Sequence, residues 1–84
     1  VLSGTEILEI MRVLDIRSID VQNETGITMQ TLRNIINGNH KTSKVVWYAL
    51  ISYFQKVYTS KYYENVEFRE SNYGSKVLQK LENL

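Results

Sequence analysis

Ser18-Ile19-Asp20-Val21-Gln22-Asn23-Glu24 runs into Thr25-Gly26-Ile27-Thr28 and then into Met29-Gln30-Thr31-Leu32-Arg33-Asn34-Ile35-Ile36-Asn37-Gly38. The first segment reads as a short helix with Ser18 as its N-cap and Val21 as its clearest inward residue. Gly26 ends it, because a tight turn here needs a residue that tolerates positive φ. Ile27 is an apolar plug under the turn. Thr28 caps a second helix by accepting from the backbone donors of its first turn. Leu32, Ile35 and Ile36 mark the buried face of that helix. Asn37-Gly38 stops it with residues suited to the left-handed conformation. The order is helix, turn, helix.

Upstream, Ser3-Gly4-Thr5-Glu6 fits a capping box. Behind it Ile7, Met11 and Leu14 form one helical stripe, flanked by Leu8 and Ile10. Downstream, Asn39-His40-Lys41-Thr42-Ser43 is a polar loop, and Ser43 opens a helix from about Lys44 into the fifties. Trp47, Leu50, Ile51 and Phe54 fall at i, i+3, i+4 and i+7 and should pack inward. Val45, Val46, Tyr48, Ala49 and Tyr53 are left over, an apolar surplus for the tail or a partner to cover. Residues 62–69 fit either an extension of this helix or a short extended piece. Asn72-Tyr73-Gly74-Ser75 is a break. Ser75 then caps a last helix with Val77, Leu78, Leu81 and Leu84 on one side. So short a helix is not stable alone, so it must dock on its own domain or on a second chain. The expected fold is all-α, a compact bundle of four to five helices. Residues 1–60 form the main domain. Residues 61–84 form a tail whose short helix can serve in dimerisation.

The chain has 84 residues and no cysteine, so neither disulfides nor a zinc-thiolate site can staple it. It has one histidine and no paired-carboxylate, metal-ligand or phosphate-cradling glycine pattern, which argues against an enzyme, a metal or a cofactor. No apolar run is long enough to span a bilayer and no signal-peptide pattern is present, so a cytoplasmic protein with no membrane partner is the default. The net charge of +1 hides an asymmetry. Between Thr25 and Tyr63 there are five bases (Arg33, Lys41, Lys44, Lys56, Lys61) and no acid, whereas the remainder sets five bases against nine acids. A phosphate-facing surface has this pattern; chance spacing in a short chain also produces it.

Residues Thr5 to Phe54 resemble the helix-turn-helix family of Cro and the lambda-type phage repressors (XRE-type). The matching marks are the Glu24-Thr25-Gly26-Ile27-Thr28 turn, Leu32 and Ile35 in the second helix of the pair, and Asn37-Gly38 after it. Ser43 then opens the next helix, with Trp47, Leu50, Ile51 and Phe54 behind it. The resemblance implies a DNA-binding domain of the lambda-repressor-like type from a phage or mobile element. It implies a homodimer on a near-palindromic double-stranded operator. Gln22 departs from the pattern, since the family usually has a small residue just after the position matched by Val21. Gln22 must lay its stem along the helix interface and send its amide out, or push the two helices apart.

Met29, Gln30, Arg33 and Asn34 project away from the buried face, early in the helix where this family contacts bases. Arg33 suits a guanine, Gln30 or Asn34 an adenine, and Met29 a thymine methyl. Arg17, Ser18, Thr28, Asn37, Asn39, His40, Lys41, Thr42, Ser43 and Lys44 are candidates for the phosphates, which position a protein without reading sequence. The start of the helix at Ser18 adds free N–H groups and a positive dipole end. The plainer account is that exposed helix positions are polar in any protein and that the loop only caps two helices. Trp47 and the six tyrosines suit base stacking on a single strand, but their helical spacing favours core or interface. The rival function is a protein-binding helix-turn-helix module, such as a modulator, antirepressor or antitoxin-like protein, acting on another regulator. Gln22, the apolar surplus and the amphipathic tail support it. Val45, Tyr48, Val77, Leu78 and Leu81 are the candidates for a dimer or partner interface.

Overall fold

The computed structural model describes residues 2–38 and 42–84, and among them it holds six helices and no strand. Ser3 starts α1 (Gly4–Leu14) with both halves of the capping box: its Oγ accepts from the Glu6 N–H at 3.1 Å and its own N–H donates to Glu6 Oε1 at 2.9 Å. Asp15 ends the helix in the left-handed region (φ 56°), and the Ile16 N–H closes the last turn on the Met11 carbonyl. The buried stripe is Ile7, Ile10, Met11 and Leu14, while Leu8 lies outside at 52% exposure.

The start of α2 (Ser18–Thr25) differs from the sequence expectation. Arg17, not Ser18, is the N-cap. The Asp20 carboxylate reaches back to accept from the Arg17 N–H at 2.9 Å, a charge-assisted bond that fixes Arg17 as the cap and leaves Ser18 as the first helical residue. Gly26 takes φ 79° and ends the helix. Ile27 is buried beneath the turn, as its place after the glycine suggests. Thr28 caps α3 (Met29–Asn37) through the Thr31 N–H, and Gly38 ends it at φ 69°.

Ser43 opens α4 (Lys44–Glu64) by accepting from the Val46 N–H. Its 21 residues extend about 32 Å at 1.5 Å per residue, nearly the 36 Å long axis of the molecule. Leu50, Ile51 and Phe54 are buried, and Trp47 is half-buried beside them. Of the apolar surplus, Val46, Ala49 and Tyr53 pack against the core, whereas Val45 and Tyr48 stay exposed. Tyr53 faces α2, where burial and the charges of Asp20 and Glu24 push its hydroxyl pKa up.

Residues 62–69 divide at Asn65, giving six helices rather than four or five. Asn65 takes an extended backbone (φ −130°, ψ 98°), which ends α4. Its Oδ1 then accepts from the Phe68 N–H at 2.9 Å and starts α5 (Val66–Ser71). Arg69 ties α5 back to α4 by donating to the Tyr62 carbonyl. Gly74 (φ 80°) turns the chain into α6 (Lys76–Glu82), capped by Ser75.

Val77, Leu78 and Leu81 of α6 enter the same core as α1 and α4. Two polar contacts fix the docking. Gln55 Nε2 donates to the Leu81 carbonyl at 3.1 Å, and Lys80 Nζ sits 2.8 Å from Glu6 Oε2. No described helix is long and apolar enough to cross a membrane.

The amino-terminal turn of α1 meets the end of α3 at Gly4, where a Cβ would run into the Ile36 carbonyl. Neither backbone can yield cheaply. Gly4→Ala is therefore expected to cost about 1–3 kcal/mol in urea unfolding, the usual penalty of overpacking; an unchanged midpoint would mean that α1 and α3 do not meet this closely. A second expectation concerns acid. The Lys80 ammonium, and then the Ser3 N–H, hold the Glu6 carboxyl at about 2, below its ordinary 4.5. Stabilisation by that carboxylate is complete above about 4.5 and is lost as pH falls toward 2. The melting temperature of Glu6→Gln should fall less steeply over that window than that of the parent protein. The difference should be small, because the pair is open to solvent.

Candidate nucleic-acid interface

The turn between α2 and α3 is held by one hydroxyl. Thr25 Oγ1 donates to the Val21 carbonyl at 2.6 Å and accepts from the Ile27 N–H at 3.1 Å. Leu32 and Ile35 anchor α3 in the core, and its neighbours are α1 and α2. Its opposite face is therefore left to solvent.

Gln22 takes the first of its two courses and does more. Its stem lies along the interface, half-buried, and its Oε1 accepts from the Met29 N–H at 3.2 Å. That N–H is one of the four at the start of α3 with no partner inside the helix. Gln22 thus supplements the Thr28 cap and ties the two helices together. Sequence spacing held no signal for it, since the partners are seven residues apart.

The four candidate base-reading residues share the outer side of α3. Met29, Gln30 and Arg33 are exposed, and Asn34 is half-buried. Gln30 Nε2 donates to Asn34 Oδ1 at 3.1 Å, so the two amides form one unit. One acceptor oxygen on Gln30 and one donor nitrogen on Asn34 remain available, the complement of an adenine edge. The two ion pairs among the described residues, Arg17–Asp20 and Lys80–Glu6, leave Arg33 unpaired.

The phosphate candidates divide into three groups. Ser18, the first residue of α2, is exposed and lines a groove of about 260 Å³ with Met29 and Arg33 of α3 and Leu8 of α1. This brings the start of α2 and the outer side of α3 to one face of the molecule. Leu8, missed as a lining residue, carries only one sequence signal: it lies off the buried stripe of α1. Arg17 sits beside this face, but its guanidinium engages Asp20 at 3.0 and 3.2 Å. That hydrogen-bonded pairing holds the Asp20 carboxyl below its ordinary range and raises the Arg17 guanidinium. The positive end of α2 is thus already shared with a carboxylate, which weakens it as an anion site.

The second group uses its hydroxyls internally: Thr28 caps α3 and Ser43 caps α4. Asn37 and Lys44, at the end of α3 and the start of α4, are exposed, and Thr42 is half-buried. The third group, Asn39, His40 and Lys41, lies outside the described residues. Of the interface candidates, Val45 (79% exposed) and Tyr48 (66%) are open on α4, whereas Val77, Leu78 and Leu81 are buried in their own chain's core. No family model, curated protein or solved structure matches the chain.

Gln22→Ala removes the extra cap together with the half-buried stem that supports it. It is expected to cost about 0.5–1.5 kcal/mol in chemical denaturation and to speed hydrogen exchange at the Met29 amide. Unchanged exchange at Met29 would remove Gln22 from this role.

Proposed function

We propose that this protein is a sequence-specific double-stranded DNA-binding regulator of the phage-repressor type, which reads its operator by laying α3 in the major groove. The observation that carries this reading is the outer side of α3. An unpaired Arg33 and a coupled Gln30–Asn34 amide pair stand there together, in a segment from Thr25 to Tyr63 without a single acid. Arg33 matches the two acceptors of a guanine and the amide pair matches an adenine. Met29 adds an apolar contact. Ser18, Asn37, Lys44 and residues 39–43 supply phosphate contacts, with Arg17 contributing less because of Asp20. A second copy of the chain is the natural occupant of the exposed Val45 and Tyr48. Those same two residues, with the Leu8–Met29 groove, favour the second reading, a module that binds another regulator protein.

Selection of bound duplexes from a random pool at near-physiological salt separates the two. The DNA reading expects inverted half-sites with centres about 10 base pairs apart, one helical turn. Recovery of no motif would move the assignment to the protein-binding reading. On a selected site, Arg33→Ala should cost about 1–3 kcal/mol and relax discrimination at one position. Lys44→Ala should weaken all sequences alike and lower the salt slope by about one. Gln30→Ala and Asn34→Ala together should cost less than their sum, because each disrupts the same unit. Equal losses for Arg33→Ala on every sequence would overturn base readout by that residue.

A further inference from the structure

Four of the six tyrosines converge at the carboxy-terminal end of α4. Tyr58, Tyr62 and Tyr63 come from the last turns of that helix, and Tyr73 from the turn before α6. The Tyr58 and Tyr62 rings lie 5.6 Å apart, and Tyr63 stands edge-on to Tyr62 at 5.2 Å. Two adjoining clefts, of about 390 and 220 Å³, share Tyr58, Tyr62 and Glu82 in their walls. The core has no need of all these rings: Tyr63 is 73% and Tyr73 86% exposed.

The charge lining the cleft is acidic. Glu82 is the single charged side chain among its described lining residues. Tyrosine faces present negative potential, and a carboxylate beside them adds a full charge. Burial, with the Glu82 charge next, pushes the Tyr58 hydroxyl pKa up. The Arg69 guanidinium lies 5.6 Å from the Tyr62 ring centre and already takes one face of that ring, so Tyr58, Tyr63 and Tyr73 supply the free faces. A phosphate-bearing ligand would meet Glu82 with no base in the lining to offset it.

We propose that this cleft binds an organic cation, an alkylammonium or guanidinium head held between the tyrosine rings and the Glu82 carboxylate. The site shares no residue with the outer side of α3 and does not rest on DNA binding. Lys44 and Tyr62 are separated by about 27 Å of helix.

The test is a titration of the full chain followed by two-dimensional NMR, with choline chloride in one arm and N-acetylarginine methylamide in the other. Controls are sodium chloride at equal ionic strength and 3,3-dimethylbutanol, the uncharged carbon counterpart of choline. Saturable shifts confined to residues 55–63 and 72–82 are expected, with the uncharged counterpart at least about fivefold weaker. Glu82 is exposed, so Glu82→Gln should keep the parent melting temperature while weakening the cation by a similar factor. Tighter binding of choline points to a free amine as the source, and tighter binding of the arginine derivative to a partner's side chain. Shifts that merely follow ionic strength, equal binding of the uncharged counterpart, or undiminished binding by Glu82→Gln would each overturn the proposal.

Discussion

The burial of Leu50, Ile51 and Phe54 along one side of α4 is the contact on which the other helices depend. Leu14 of α1, Val21 of α2 and Leu81 of α6 join that side in a single core, each with essentially no solvent access. Every helix but α4 has eleven residues or fewer, too short to persist alone in water. With no cysteine to cross-link them, their stability comes from tertiary packing. Phe54 is the largest fully buried side chain. A cavity in its place would cost about 3–5 kcal/mol, a large part of what a domain of this size has in reserve. The fold is therefore one cooperative unit. Residues 61–84 are joined to it by their own apolar side chains and not merely by the chain.

Helix α3 stands apart from that arrangement, and its chemistry follows from this. It leans on α1 and α2, so only its inner side is used for folding. Two close contacts set its position. One is the approach of Gly4 to the Ile36 carbonyl near its end, and the other is the Gln22 amide on the Met29 N–H at its start. A helix supported at both ends presents its outer side chains in a defined orientation, which base reading requires. The charges differ in the same sense. Arg17 is neutralised locally by Asp20, while Arg33 is left with no anion of its own chain.

The two ends of α4 carry different groups. Its first turn carries Lys44, and its last turns carry tyrosines and Lys61, with Glu82 of α6 close by. A polyanion and an organic cation would meet different ends of one stiff element.

Much of the helical order was legible in the residues themselves. The Ser3–Glu6 box, the caps at Thr28, Ser43 and Ser75, and the stops at Gly26 and Gly38 all hold in the structure. Each depends on partners within three or four residues, so neighbours in the sequence are neighbours in space. Where local signals were balanced, the sequence left the outcome open or off by one residue: α2 is capped by Arg17, from whose N–H the Asp20 carboxylate accepts, and Asn65 ends α4 within the stretch that fitted either a longer helix or an extended piece. The outward set on α3 was legible too, since helical projection from Leu32 and Ile35 suffices to place it. Its amide pairing was not. Nor was the capping by Gln22, the docking of α6 through an ion pair joining residues 74 apart, or the gathering of four tyrosines around Glu82. The sequence by itself determined where the helices start, stop and turn their apolar sides. Only the tertiary structure decided which sides meet, because that choice depends on how all six helices share one small core, and no local pattern encodes it.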